Sequence, residues 1–257
     1  MAYLQGSYPI LKKKELATGI FDYIVSCPEI AQQTVAGQFV HIRAEGFTLR
    51  RPISVCEVFR ETGAIRLVFE VRGEGTKKLA ELEQNHRMDI LGPLGNGFRL
   101  FAPDKKIIVV GGGIGVPPLL QTASHYGENA TAIIGFRNAD ASILADDFKE
   151  KGCDLRLATD DGSAGYHGFV TGLLEQRLNE APADLIYACG PTAMLKGVVQ
   201  MAQARGIPTQ VSVEERMGCG VGACLVCACK TVRDGREIFT HVCKDGPVFD
   251  GNEVVFE

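Results

Sequence analysis

The sequence predicts a multi-domain chain: a small antiparallel β-barrel over residues 1–102, a doubly wound α/β domain over 103–210, and a small cysteine-rich subdomain over 211–257. Three observations carry this reading. Short strands punctuated by glycine fill the first part, continuous apolar strands alternating with helices fill the second, and five of the nine cysteines fall between 219 and 243. At 257 residues the chain also exceeds one core of ordinary size.

In the first unit, residues 39–43, 54–59 and 65–72 are β-branched or aromatic-rich and partly alternating, the pattern of half-buried strands. Gly37, Gly46, Gly63, Gly73 and Gly75 separate them. Thr76 is expected to cap a helix over 76–82, and residues 92–97, with three glycines and a proline, read as a turn-rich exit. In the second unit, Lys106–Val110 is an apolar run suited to a strand covered on both faces. Glycines follow, then a helix opened by Pro117 and Pro118, where a missing N–H costs nothing, and ended by Gly127. Strands at 130–135, 155–159 and 185–189 alternate with helices at 142–151, 170–179 and 193–205, which argues for a doubly wound sheet. The 47 residues after 210 are too few for a large core without a metal or a neighbour.

A net charge of −4 gives no electrostatic footprint for nucleic acid. The amino terminus lacks the basic-then-apolar pattern of a secretory signal, and no apolar run approaches the roughly 20 residues that span a bilayer. A soluble, cytoplasmic protein with no membrane partner is therefore expected. The odd number of cysteines argues against a disulfide framework and for a metal.

Cys219, Cys224 and Cys227 have C-x4-C-x2-C spacing, and fifteen residues separate Cys227 from Cys243. This is the spacing of plant-type [2Fe–2S] sites, in which four thiolates hold two irons inside a tight loop. Gly218, Gly220 and Gly222 allow close backbone approach, and their amides can bond to the sulfurs and tune the potential. A structural zinc is the rival reading, although zinc sites favour paired C-x2-C knuckles and only one stands here. Cys229 reads as a spare, half-apolar thiol, and His241 as a nearby polar residue.

The junction after the first α/β strand, with Gly111, Gly112, Gly113 and Gly115, has the physics of a pyrophosphate site: bare amides beside a helix start. The strict dinucleotide fingerprint fails, because Val116 stands at the third glycine position and no acidic residue closes the second strand. Two later segments strengthen the junction. Asp160 in the stretch 159–163, and Cys189, Gly190 and Pro191, lie just past strand ends, where open α/β sheets bind ligands. Cys189 either faces a nicotinamide ring or is a small buried residue. Arg137 either meets a 2′-phosphate or is solvated.

A nicotinamide exchanges two electrons at once and an iron–sulfur cluster one at a time, so a chain holding both needs a converter, and flavin is the usual one. The barrel is the domain left to bind it. Arg50, Arg51, Pro52, Ile53 and Ser54 place guanidinium groups and a hydroxyl where a flavin phosphate and ring edge would lie, and Gly73, Gly75 and Thr76 offer amides and a hydroxyl to the pyrophosphate.

These motifs together resemble the ferredoxin–NADP reductase superfamily, across essentially the whole chain. Within it the chain is most similar to the iron–sulfur electron-transfer subunits of NAD-linked dihydroorotate dehydrogenase B, through residues 214–227 (EERMGCGVGACLVC), 243–249 (CKDGPVF), 37–41 (GQFVH) and 51–54 (RPIS). The resemblance implies that Arg51, Pro52, Ile53, Ser54, Val68, Phe69, Glu70, Gly75 and Thr76 bind FAD, that Cys219, Cys224, Cys227 and Cys243 hold the cluster, and that the nicotinamide cofactor is NAD. Phe69 and Glu70 stand where the family often has tyrosine and arginine, and Ala36 replaces a proline. It also implies an FMN-containing catalytic partner in a heterotetramer of two plus two. Dihydroorotate is oxidised at the FMN, and electrons pass through the cluster and FAD to NAD+, a step of pyrimidine biosynthesis. The alternatives are an NAD(P)H-dependent reductase subunit serving a ferredoxin, oxygenase or hydrogenase, and a cluster-bearing redox sensor without enzymatic activity.

Overall fold

The computed structural model describes residues 3–256. The chain opens with β1 (Leu4–Ala17), β2 (Ile20–Ser26), α1 (Pro28–Gln33), β3 (Phe39–Ile42), β4 (Arg51–Phe59), β5 (Ala64–Glu70), α2 (Glu74–Ala80) and β6 (Arg87–Leu94). The six strands close an antiparallel barrel in the order β1-β2-β5-β4-β3-β6. β1 turns a barrel corner: Leu4–Pro9 pair with β6, whereas Ile10–Ala17 pair with β2 after a register shift. Pro9 at that change of partner has no N–H to leave unpaired. Inside, Tyr23 and Phe69 stack at 5.6 Å among Ile10, Ile42, Ile65 and Leu67.

Sequence reading misses β1, β2, α1 and β6, and three of its bounds shift. The helix expected over 76–82 runs Glu74–Ala80, with Gly73 at the cap. Thr76 is its third residue and reaches back, its hydroxyl accepting from the amides of Arg72 and Gly73 at 2.9 and 3.2 Å. The segment 92–97, expected as a turn-rich exit, is strand as far as Leu94. The helix expected over 142–151 is shorter, as given below.

The second layer comprises β7 (Ile107–Gly112), α3 (Pro117–Tyr126), β8 (Ala130–Phe136), α4 (Ala145–Glu150), β9 (Asp154–Thr159), β10 (Tyr166–His167), α5 (Val170–Glu180), β11 (Leu185–Cys189), α6 (Thr192–Gln203) and β12 (Thr209–Ser212). Leu144, in the left-handed region at φ 62°, delays the start of α4. β13 (Ala228–Arg233) and β14 (Arg236–His241) form a hairpin, and β15 (Val248–Asp250) returns to pair antiparallel with β12. The main sheet runs β10-β9-β8-β7-β11-β12-β15. The strands from β10 to β12 are parallel, and they read as apolar runs because helices cover both faces. Residues of α3 and α4 pack into one apolar cluster, and those of α5 and α6 into another.

The barrel and the sheet are welded together. Arg66 on β5 is nearly buried; it meets Asp22 at 2.9 Å and Glu57 at 3.5 Å within the barrel, and Asp147 on α4 across the interface. Asn96, just after the barrel, donates to the carbonyls of Lys244 and Asp245 at 2.9 and 3.0 Å and so anchors the carboxyl-terminal segment. No helix among the described residues is long and apolar enough to cross a membrane.

Candidate functional site

The doubly wound sheet has its switch point between β7 and β11: one helix pair lies on one face and the second pair on the other, so the carboxyl ends of these two strands splay apart. The gap faces the barrel. A cleft there is walled on the barrel side by Phe39, Pro52, Ser54, Val68 and Thr76, and on the sheet side by Ile114, Cys189 and Ser212. Val68 and Glu70 face outward by the period of β5, whereas Phe69 between them turns its ring into the barrel. Glu70 is paired with Arg72 at 2.7 Å. Apolar walls with hydroxyls and backbone at the rim suit a flat conjugated ring with polar edges. Ile53 lines the same cleft.

Arg51 lies at one end of it. The guanidinium packs over the Phe47 ring at 4.9 Å and donates to the carbonyls of Leu49 and Arg50 at 2.5 and 3.4 Å, with no carboxylate partner among the described residues. It rests against Gly75, where a Cβ would stand 2.1 Å from its Nε. A cation against bare backbone, beside the free amides that open α2, is a cradle for a phosphate.

The glycines after β7 do something other than leave room for a ligand. A Cβ on Gly115 would lie 2.5 Å from the carbonyl oxygen of Cys189, and one on Gly112 would lie 2.8 Å from the Met194 sulfur and 3.0 Å from Pro191. Gly111 is held as closely against Val116, and Gly190 against Gly112; Gly113 alone opens on free space. They let the two switch-point turns pack on each other, which brings Cys189 to the cleft. Burial pushes its thiol up to about 12, so it is neutral at physiological pH. Asp160 sits away from this cleft, exposed beyond β9, two strands from β7.

The carboxyl-terminal cysteines come together as two pairs. Cys219 and Cys224 adjoin through the Cys219 amide, 3.3 Å from the Cys224 sulfur; Cys227 and Cys243 adjoin through the Cys243 amide, 3.4 Å from the Cys227 sulfur. Gly222 links the pairs by donating to the Cys243 sulfur at 3.1 Å. Among the described residues no three His, Cys, Asp or Glu side chains converge on one point as a single ion requires. Two pairs of thiols joined by a glycine loop instead match two irons with two thiolates each. The amides of Val221, Ala223 and Cys224 donate to the Cys219 sulfur at 3.4, 3.2 and 3.4 Å. Burial opposes ionisation of Cys219, yet the Val221 and Cys224 amides, with the Cys224 thiol, bring it down to about 6. Cys243 moves the other way, to about 12, through burial and then the adjoining Cys227 thiol. Cys229 points aside to the Thr240 hydroxyl at 3.3 Å, and His241 bonds through its amide to Asp245 at 2.7 Å.

Several cleft residues escape sequence reading. Ser212, Glu214, Met217 and Pro247 reach it because the chain after β12 folds back over the barrel, and Phe39 because β3 separates the cleft from the cysteine loops. Only the two acidic residues directly ahead of the cysteine motif hinted at this in one dimension. His41 is a further case. It is fully buried, and burial, then Arg50, lowers its pKa to about 4.

Residues 214–255 match the family model described as the iron–sulfur cluster binding domain of dihydroorotate dehydrogenase B. The chain is 39% identical over 254 residues to a protein of Geobacillus thermodenitrificans named dihydroorotate dehydrogenase B (NAD(+)), electron transfer subunit, covering 96% of both chains. The protein of that name from Bacillus mycoides is 39% identical over 255 residues, again covering 96% of each. Among solved structures, an NADH-dependent reduced ferredoxin-NADP oxidoreductase described for flavin-based electron bifurcation is 33% identical, with a TM-score of 0.85 over 97% of this chain and 90% of that one. A ferredoxin reductase in carbazole 1,9a-dioxygenase shares the fold, at 20% identity and a TM-score of 0.68 over 80% of this chain and 67% of that one.

Proposed function

The chain belongs to the electron-transfer subunits of NAD-linked dihydroorotate dehydrogenase B, and from that premise we propose that it carries electrons from a partner that oxidises dihydroorotate, through a [2Fe–2S] cluster and FAD, to NAD+. The observation that carries this reading is the placement of one cleft between three surfaces: a barrel wall, the nucleotide-sheet switch point and the paired cysteines. Bound there, a flavin supplies the conversion between hydride and single-electron transfer.

The chain's own residues divide the remaining work. We assign FAD to residues 1–102, NAD to 103–210 and the cluster to 211–257. Arg51, with Gly75 and Thr76, holds the flavin phosphates, and Pro52, Ile53, Ser54, Val68 and Glu70 border the ring. Phe69 supports that border from inside the barrel. The turns of Gly111, Gly112, Gly113 and Gly115, and of Cys189, Gly190 and Pro191, present the nicotinamide end of NAD to the flavin; the exposed Asp160 serves the far end of the dinucleotide. Neutral Cys189 offers a packing surface without a charge that would repel or trap a hydride. Cys219 and Cys224 hold one iron, Cys227 and Cys243 the other. We place the protein in the cytoplasm, in line with nine unpaired cysteines, in a complex of two such chains with two FMN-bearing catalytic subunits.

No residue constellation for oxidising an organic acid remains outside these sites, so the purified chain alone is expected not to oxidise dihydroorotate. Adding the catalytic subunit is expected to give dihydroorotate-dependent NAD+ reduction; turnover by the lone chain would refute the division of labour. The likeness to the ferredoxin-NADP oxidoreductase structure favours a second reading, a reductase subunit with a ferredoxin partner. Stable co-purification with a ferredoxin-reducing partner, and none with an FMN dehydrogenase, would select it.

A further inference from the structure

β3 is the strand between the cleft and the cysteine loops, and two of its side chains touch both. Phe39 lines the cleft and also packs with Cys227 and Cys243. His41, two residues on, meets the Phe39 ring edge-on at 6.4 Å, and its partner across the strands is Pro52 of the cleft wall. Its ring also abuts the cysteine loop. A Cβ on Gly220 would stand 2.6 Å from His41 Nδ1, and the backbone of Cys219 lies on the same side without completing a hydrogen bond. Gly220, at φ +75°, is thus doubly constrained, by its backbone and by the imidazole.

His41 is fully buried, and neither ring nitrogen has a hydrogen-bond partner. Buried polar atoms are nearly always paired, and an orphan in a folded chain calls for an absent partner. A position that needed only to be filled would carry phenylalanine or leucine at no such cost. The elements around the ring are the cleft wall and the Cys219–Val221 loop, and of these only the second is built to hold an electron-rich sulfur centre.

We propose that His41 is a positioning residue for the iron–sulfur cluster, its ring N–H donating a hydrogen bond into the site held by the Cys219 loop and raising the cluster's reduction potential. A donor there stabilises the added negative charge of the reduced cluster more than the oxidised one. The inference rests on the functional reading above and deepens it, because it makes β3 the element that matches the cluster to the flavin beside it.

The test is an EPR-monitored redox titration of the complex with its catalytic subunit. His41→Phe keeps the ring's shape and removes both nitrogens; His41→Asn keeps an amide donor near the place of Nδ1. The Phe variant is expected to make the cluster harder to reduce by about tenfold in its one-electron equilibrium, which is 59 mV, with the flavin potential unmoved and the Asn variant near wild type. Cluster loss confined to the Phe variant supports the proposal as well. An unshifted potential in the Phe variant, the same shift in both variants, or loss of the cluster from both overturns it. A wild-type complex with no iron–sulfur signal on reduction would overturn the functional reading itself, and the proposal with it.

Discussion

Replacing Gly115 by alanine tests whether the contact between the two switch-point turns positions the nicotinamide. The added methyl would stand 2.5 Å from the Cys189 carbonyl oxygen, 2.6 Å from its carbon and 2.7 Å from Gly190 Cα, where ordinary contact begins at 3.4 Å. The deficit is about 0.7–0.9 Å at three atoms, all of them backbone, so no side chain can swing aside. Overpacking of this kind costs about 1–3 kcal/mol. Relief requires the turns to part by most of an ångström, and a misplacement near 1 Å at reacting groups costs on the order of 100-fold in rate. Stopped-flow reduction of the bound flavin by NADH is therefore expected to lose about 100-fold in kcat/KM. Flavin and iron content should stay unchanged, because Ser54, Val68 and the cysteines come from other elements. Gly113→Ala is the control: it meets open space, costs about 1–2 kcal/mol for its positive φ, and leaves the turns in contact. NADH reactivity at the wild-type level in Gly115→Ala would refute the reasoning.

Other outcomes follow from the same geometry. Cys224→Ser is expected to abolish the iron–sulfur absorption, whereas Cys229→Ser leaves two irons per chain, since Cys229 points to Thr240 rather than to the paired thiols; iron analysis decides. Arg66→Ala strips the shared cation from Asp22, Glu57 and Asp147 and should cost about 3–5 kcal/mol in urea unfolding; a change below about 1 kcal/mol would place those charges in water. In alkali, burial and then Glu29 push the Cys27 thiol up to about 12 from 9.0. Because the folded value is the raised one, its contribution is complete below pH 9 and drains away as pH rises toward 12, by about 1.4 kcal/mol per pH unit. Unfolding curves across that window should flatten in Cys27→Ala.

What the sequence disclosed follows from how local each signal is. The cysteine motif and the strands of the nucleotide sheet are written in short windows: C-x4-C-x2-C is one loop, and β7 and β8 are apolar throughout because helices cover both their faces. β1 escaped because Lys12, Lys13, Lys14 and Glu15 make it read as polar surface, although Lys13 lays its stem along Phe21 and bonds at the barrel end to the Ala80 carbonyl at 2.8 Å. α1 is a single short turn-like helix after a proline, below the length at which periodicity speaks. The cleft was only half legible. Arg51 to Ser54 stood out by composition, but Glu214, Met217 and Pro247 enter through a fold-back fixed by Asn96 and by the pairing of β15 with β12. His41 in the run Val40, His41, Ile42 looks like any polar interruption of a strand; its meaning lies in Gly220, at the other end of the chain.

Counting cofactors on the purified complex during reduction bears most directly on the central claim. The account predicts, for each copy of this chain, one FAD and two irons, with flavin absorbance bleaching and an iron–sulfur EPR signal appearing when NADH is added without oxygen. A chain that carries one zinc in place of iron, or that shows no flavin change on NADH addition, would contradict it.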